Sequence, residues 1–284
     1  MHTIRTRVRP DPSEEFMSEQ ATAERPGQLT HHKVGHVGYV VFDNQRKFNA
    51  VNHDMWLAVP KMMAEFVADP DVRVIVITGA GEKAFISGAD ISQFDKQRTG
   101  SANDDYNAAV DGGYSAVLDC PKPTIAKIRG ICMGGGLGLA VNCDIRICAD
   151  DAKLRMPAAR LGLGYQYPGL KRFTEVLGAA NTADLFFSAR IFGAADAMTM
   201  GFAKQIVPAA ELDAVVAAYA AQIAENAPLT VAAAKRALLE IRKDADKRDV
   251  ALVNRMVAAC FASEDYNEGR KAFAEKRTPN FKGK

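Results

Sequence analysis

The sequence is short of the residues that would build a crosslinked scaffold, a metal centre or a membrane span. Its five cysteines (Cys120, Cys132, Cys143, Cys148 and Cys260) form no CxxC pair, and its five histidines all precede residue 54. Neither a disulfide framework nor a Cys/His metal site is expected. No apolar run reaches the ~18 residues of a spanning helix, which argues against a membrane protein. Charge of one sign is scarce as well: 36 Lys+Arg against 34 Asp+Glu leave +2, without the concentrated positive field that nucleic-acid binding draws on. Glycine and proline, at 22 and 12, are too few for a fibrous or broadly disordered chain. What remains is an ordinary globular composition, 48% hydrophobic and 25% charged over 284 residues, with room for one large domain or two modest ones.

Residues 1–28 show no apolar periodicity and lack the apolar centre of a secretory signal. They read as a disordered tail. Arg5, Arg7 and Arg9 are interrupted by Asp11, Glu14 and Glu15, unlike a transit peptide, so a cytoplasmic location is expected. Residues 34–43 (VGHVGYVVFD) read as one strand. Trp56, Val59, Met63 and Phe66 have helical spacing within 53–67, where Pro60 should kink or shorten the helix. The apolar run 72–78 (VRVIVIT) is of strand length and suggests a strand covered on both faces. A strand over 124–128 leads through Gly130 to Gly134-Gly135-Gly136 and a helix over 137–143, and 144–149 reads as a strand again. Beyond 169 the pattern is mainly helical, with 209–241 split in two at Asn226-Ala227-Pro228. The order predicts an α/β core over 29–210 and a helical region over 211–284, packed on the core or reaching beyond it.

Two stretches let backbone amides approach a ligand without a side chain in the way: Ser87-Gly88-Ala89-Asp90 and the glycine triplet at a helix start. Helix N-termini carry unpaired N–H groups at the positive end of the dipole. Two such amides converging on one point would make an oxyanion hole; alternatively, the triplet only permits close helix–strand packing. No Gly-Lys-Ser/Thr follows and GGGLG is not GxGxxG, so a phosphate-cradling loop is not indicated.

From about residue 34 onward these residues resemble the crotonase (enoyl-CoA hydratase/isomerase) superfamily. Four stretches carry the match: NQRKFNA (44–50), AFISGADI (84–91), GICMGGGLGLAVNCD (130–144) and EDYNEGRKAFAEKRTPNFK (264–282). The resemblance implies an α/β fold, a spiral of ββα units with a helical C-terminal trimerisation region, assembled as a homotrimer or hexamer. It implies an acyl-CoA ligand, with coenzyme A as part of the thioester substrate and no permanently bound cofactor. The amides of Ala89 and Gly135 would polarise the thioester carbonyl. Lys47, Asn49, Ala50, Ser87 and Asp90 would lie against coenzyme A. Lys276, with Phe273 nearby, would reach its phosphates from a neighbouring subunit.

The departures bear on the reaction. Where hydratases of the family carry two glutamates this chain has Gly138 and Ala158, and where related isomerases carry an acid it has Gln166. Glycine and alanine transfer no protons, so ordinary hydration is not expected. Tyr165 falls where methylmalonyl-CoA decarboxylases of the superfamily carry a tyrosine, although those have a histidine in place of Ala89 and an acid in place of Gly138. Tyr165 is thus either a proton donor or a packing residue. Asp105, Tyr106 and Asp111 lie in a segment that often walls the family's pocket and could lend a proton-transfer group. Lys171 and Arg172 could neutralise a helix end or a substrate acid, or simply lie at the surface. The expected activities are a lyase or isomerase acting through a thioester enolate, an acyl-CoA decarboxylase using Tyr165, or a catalytically silent acyl-CoA binding protein.

Overall fold

A computed structural model of the chain describes residues 26–90 and 101–284. Strand β1 (Gln28–Val34) pairs antiparallel with β2 (Val37–Asp43). Next come helix α1 (His53–Ala68), β3 (Val74–Gly79), β4 (Ala84–Ile86) and helix α2 (Ser101–Leu118). The following turn is β5 (Thr124–Ile128), β6 (Ile131–Met133) and helix α3 (Gly135–Asn142). A third is β7 (Ile145–Ala149), β8 (Lys153–Arg155) and helix α4 (Tyr167–Ser188). Each turn places one strand in each of two sheets and then a helix. That is the ββα spiral implied by the resemblance. With β9 (Phe192–Gly193), helix α5 (Ala194–Thr199) and β10 (Gln205–Val207), the sheets among the described residues run β1-β2-β3-β5-β7-β10 and β4-β6-β8-β9.

Strand β3 shows why its sequence is almost wholly apolar. Ile75 and Ile77 pack in a core cluster with Trp56, Val59 and Met63 of α1, whereas Val74 and Val76 face a second cluster built on helix α6 (Leu212–Ala224). Both faces of the sheet are covered. Burying Leu212 and Val216 of α6 contributes about 1.5–3 kcal/mol each. This helix therefore completes the core, and a boundary at 210/211 cuts through one packed unit. Helices α7 (Pro228–Ile241), α8 (Val250–Phe261) and α9 (Glu264–Glu275) follow, with the predicted break lying between α6 and α7 and residues 242–249 between α7 and α8.

Other expectations need correction. Residues 34–43 are not one strand: Gly35, at φ +56°, turns the chain into a hairpin. Pro60 does not end α1, which runs through it with Asn52 capping Met55 N at 2.8 Å. Buried Met55, Trp56, Val59, Met63 and Phe66 anchor the helix on both sides of the lost N–H. The segment 1–28 was expected to be a tail, yet β1 begins at Gln28 and Gly27 O accepts a hydrogen bond from Asn52 Nδ2. Residues 1–25 of that segment lie outside the described residues, as does Ile91 of the AFISGADI stretch.

Candidate active site

The two glycine loops meet. Val51 bridges the chain around Ala89: its N–H donates to Gly88 O at 2.8 Å and its carbonyl accepts from Asp90 N at 3.0 Å. In that parallel pairing the Ala89 N–H points away from Val51, and it has no hydrogen-bond partner among the described residues. On the facing loop Gly134 adopts φ +50°, ψ −118°, a conformation that side chains disfavour, and starts α3. Gly135 is the first residue of that helix, so its amide has no intrahelical acceptor. A Cβ on Gly88 would lie 4.0 Å from Gly135 N, which places the loops side by side. Gly136 serves packing instead, since a Cβ there would overlap Ile86 of β4. Gly136 thus packs against the neighbouring strand, while Gly135 leaves a helix-start amide beside the cavity.

Both amides border a cavity of about 690 Å³. Helix α2 forms one wall, presenting Tyr106, Val110, Asp111, Tyr114 and Leu118 at helical spacing. Tyr114 was missed in the sequence, although this three-to-four-residue recurrence was there to be read. Its hydroxyl donates to Gly135 O at 3.1 Å. Its ring meets Trp56 edge-on at 5.3 Å. An ideal Cβ on Gly138 would overlap the Tyr114 hydroxyl and come within 3.1 Å of that of Tyr165. The two phenols therefore fill the space into which a side chain at 138 would project.

Tyr165 packs against aromatic neighbours and also lines the cavity. Its ring stacks edge-on against Phe186 at 4.9 Å and Phe173 at 6.1 Å, while its hydroxyl stands with that of Tyr114 over Gly138 at the cavity. Burial pushes the Tyr165 phenol up to about 12, and the Tyr114 hydroxyl, by favouring the phenolate, limits the rise. Burial drives the Tyr114 phenol well above its usual value. Both phenols are protonated at neutral pH. Asp111 stands on the cavity rim, one helical turn before Tyr114, with its carboxyl raised by partial burial. Gln166 is exposed and Ala158 is buried, both on the cavity lining.

The remaining predicted contacts divide. Ser87 lines the cavity, its hydroxyl donating to Lys47 O at 3.0 Å. Lys47 reaches across to Asp90, Nζ to Oδ2 being 2.9 Å, with Lys47 partly exposed and Asp90 buried. Asp90 is thus tied to a lysine 43 residues earlier in the chain. Asn49 is a correction: it is fully buried, its amide donating to Ala80 O and Ala84 O at 2.9 Å and its Oδ1 accepting from Asn44 N at 3.0 Å. Its side chain holds loops together and has nothing left for a ligand. Ala50 is likewise buried, its N–H on Lys47 O and its carbonyl on Asn44 Nδ2. Lys276, at φ +54° beyond α9, and Phe273 are exposed and do not line this chain's cavity.

At its other end the cavity is charged, with Lys171, Arg172, Glu175 and Arg242 on its wall. Burial, with Arg242 alongside, pulls the Arg172 guanidinium down to about 10.

A spiral of ββα units around two unpaired, adjacent amides at the mouth of a mostly apolar cavity defines a crotonase-type protein. The sequence profile of the enoyl-CoA hydratase/isomerase family matches residues 32–284, and the chain belongs to that family. It is 34% identical over 245 residues to a probable enoyl-CoA hydratase of Mycobacterium bovis, covering 86% of this chain and 94% of that protein. A carnitinyl-CoA dehydratase of Proteus mirabilis is 35% identical over 255 residues, covering 88% and 96%. Among solved structures, an enoyl-CoA hydratase/carnithine racemase from Magnetospirillum magneticum superposes with a TM-score of 0.84 at 31% identity, covering 90% of this chain and 96% of that one.

Proposed function

We propose that the protein is an acyl-CoA lyase that works through a thioester enolate. The Ala89 and Gly135 amides hold the oxyanion, and Tyr165 supplies the proton that quenches the carbanion. The observation that carries this reading is the Tyr114–Tyr165 pair occupying the space over Gly138, beside the unpaired Gly135 N–H. Phenols that stay protonated are suited to donate and poorly suited to abstract a proton at neutral pH. An enolate formed by loss of a carbon group needs no base. In decarboxylation, the simplest case, the bond from the α-carbon to the carboxylate breaks, its electron pair enters the enolate, CO₂ leaves, and Tyr165 protonates the carbon. Water then restores the phenol. Asp111, one turn from Tyr114 on the cavity face, favours a second reading in which it shuttles a proton in a double-bond isomerisation.

Acyl-CoA is substrate here, not a resident cofactor. Ser87 lines the cavity and would meet the coenzyme A portion there, with Lys47 behind it, its carbonyl accepting from the Ser87 hydroxyl. Lys276 would act from a neighbouring copy of a trimer or hexamer, an assembly supported by the exposed Val257, Phe261 and Phe273 on α8 and α9. No helix of the described residues is long and apolar enough to cross a membrane, and a cytoplasmic location fits acyl-CoA chemistry.

The test is incubation with crotonyl-, 3-enoyl- and methylmalonyl-CoA in D₂O, followed by mass spectrometry. Loss of CO₂ with one deuterium gained at the α-carbon is expected. Positional isomers carrying deuterium would establish the Asp111 reading instead. Hydration would refute both, and unchanged but tightly bound thioesters would mark a silent acyl-CoA binding protein.

A further inference from the structure

The cavity does not close at the tyrosines. It continues along α3 to Arg172, whose Nε donates to Val141 O at 2.9 Å. That bond fixes the guanidinium at the carboxyl end of α3, the end opposite the Gly135 amide. The six residue steps between Gly135 and Val141 correspond to roughly 9 Å of helix rise.

The charges at this end do not balance. Glu175 Oε2 lies 3.5 Å from Arg172 Nη1 and 3.2 Å from Arg242 Nε, so one carboxylate serves two guanidiniums. Lys171 has its nearest carboxylate, Asp244, at 3.9 Å, and Lys247 engages that same group at 3.1 Å. Asn142, also on the wall, spends its Nδ2 on Gly138 O at 2.8 Å. Only 14% of the Arg172 side chain and 27% of that of Arg242 are exposed. Half-buried guanidiniums with donors to spare, at the end of an apolar channel, are a site for an anion that can take two parallel hydrogen bonds.

The geometry points to a carboxylate at the far end of the acyl group: the preferred ligands are ω-carboxyacyl thioesters of coenzyme A, held by the amides of Ala89 and Gly135 at one end and by Arg172 and Arg242 at the other. This rests on the acyl-CoA reading above and names the class of acyl group. A plain fatty acyl chain would leave the cationic end unmatched against methyl groups.

Isothermal titration of the full-length protein with adipyl- and suberyl-CoA, with hexanoyl- and octanoyl-CoA, and with free coenzyme A tests it without any turnover. At least one dicarboxylic thioester should bind tighter than its monocarboxylic counterpart by about tenfold or more, the scale of one charge-assisted hydrogen bond. Arg172→Gln should erase that preference and leave free coenzyme A unaffected. Arg242→Gln keeps the Arg172 bonds to Val141 and Glu175 and guards against a folding artefact; it should reduce the preference too. Equal binding of the two thioester classes overturns the inference and leaves the acyl-CoA reading standing. Absence of binding by every thioester overturns both. A parallel loss of free coenzyme A in Arg172→Gln would assign the guanidinium to coenzyme A phosphates and also overturn it.

Discussion

Replacing Gly138 with alanine adds one methyl group to the interior of α3. With open space around it, this change stabilises a helix by about 1 kcal/mol, because alanine loses less backbone freedom than glycine on folding. Here the new Cβ would overlap the Tyr114 hydroxyl, stand 2.7 Å from Tyr114 Cζ and 3.1 Å from the Tyr165 hydroxyl. Tyr114 would have to leave its hydrogen bond to Gly135 O and its edge contact with Trp56. Overpacking costs about 1–3 kcal/mol and the lost hydrogen bond about 1 kcal/mol more. Set against the helix gain, the net is a destabilisation of about 1–3 kcal/mol, opposite in sign to the open-space value. In a Tyr114→Ala background the overlapping atoms are gone and only the 3.1 Å contact with the Tyr165 hydroxyl remains, so Gly138→Ala should stabilise by up to about 1 kcal/mol, giving a coupling of about 1–4 kcal/mol between the two positions. Urea unfolding of the four proteins, at one protein concentration, reads this through the fluorescence of Trp56, the only tryptophan in the chain. If Gly138→Ala stabilises the otherwise unaltered protein, Tyr114 does not occupy that space, and the case for phenols in place of a carboxylate fails.

Tyr165→Phe keeps the ring between Phe173 and Phe186 but removes the hydroxyl, so turnover should fall by about 10²–10⁴ with acyl-CoA affinity retained; undiminished deuterium incorporation would remove Tyr165 from the chemistry. With the native phenol pushed up to about 12, the donor stays protonated well past neutrality, and the pH–rate profile should show no falling limb centred below 10.0, the ordinary tyrosine value. Gly135→Pro deletes one amide at a first helical position that tolerates proline, so the circular dichroism should persist while the rate drops by about 10²–10³; an unchanged rate would refute an oxyanion role for that N–H. In the C-terminal region, Lys243, the Asp249 N–H and Arg236 hold the Glu240 carboxyl down to about 2 from 4.5. A folded value below the unfolded one stabilises above pH 4.5 and is lost as pH falls from there towards 2. Glu240→Gln should therefore be less stable at pH 7 and show a shallower acid loss in thermal melts; an identical slope would mean that the ion cluster contributes nothing.

What the sequence disclosed follows from how each segment is buried. β3 is legible because both its faces are covered, and the α6/α7 break because Pro228 starts a helix where Asn226 and Ala227 leave one. β6 and β8 span only three residues each, too few for any alternation, so the second sheet left no pattern. Helix α2 is masked by Gly112-Gly113 in its middle, and with it Tyr114. Asn49 shows another limit: an asparagine in a ligand-facing loop and one bonded to Ala80 and Ala84, more than 30 residues on, look the same until the chain is folded. The two amides were readable because their requirement is local, a glycine before each and a helix start after one. Tyr165 was only half readable, because the residue that stands beside its hydroxyl, Tyr114, comes from a different turn of the spiral.

A carboxylate at position 138 would be ionised near neutral pH and could take a proton as well as return it. The phenols that fill its place can return one but scarcely take one. In the proposed reaction, that asymmetry moves the difficult step, making the enolate, away from the protein and onto the bond that the substrate gives up. It also makes the cationic far end intelligible, since a cavity with little acid–base power must select and orient its substrate closely for the leaving group to lie where the oxyanion amides can draw off its electrons. Orientation by two fixed ends, the Ala89 and Gly135 amides at one and Arg172 with Arg242 at the other, limits rotation of the acyl chain between them. In the proposed reaction, the reaction class and the acyl specificity are thus linked through α3: its first residue would supply an oxyanion donor, Gly138 at its middle admits the phenols, and Val141 near its end pins the guanidinium.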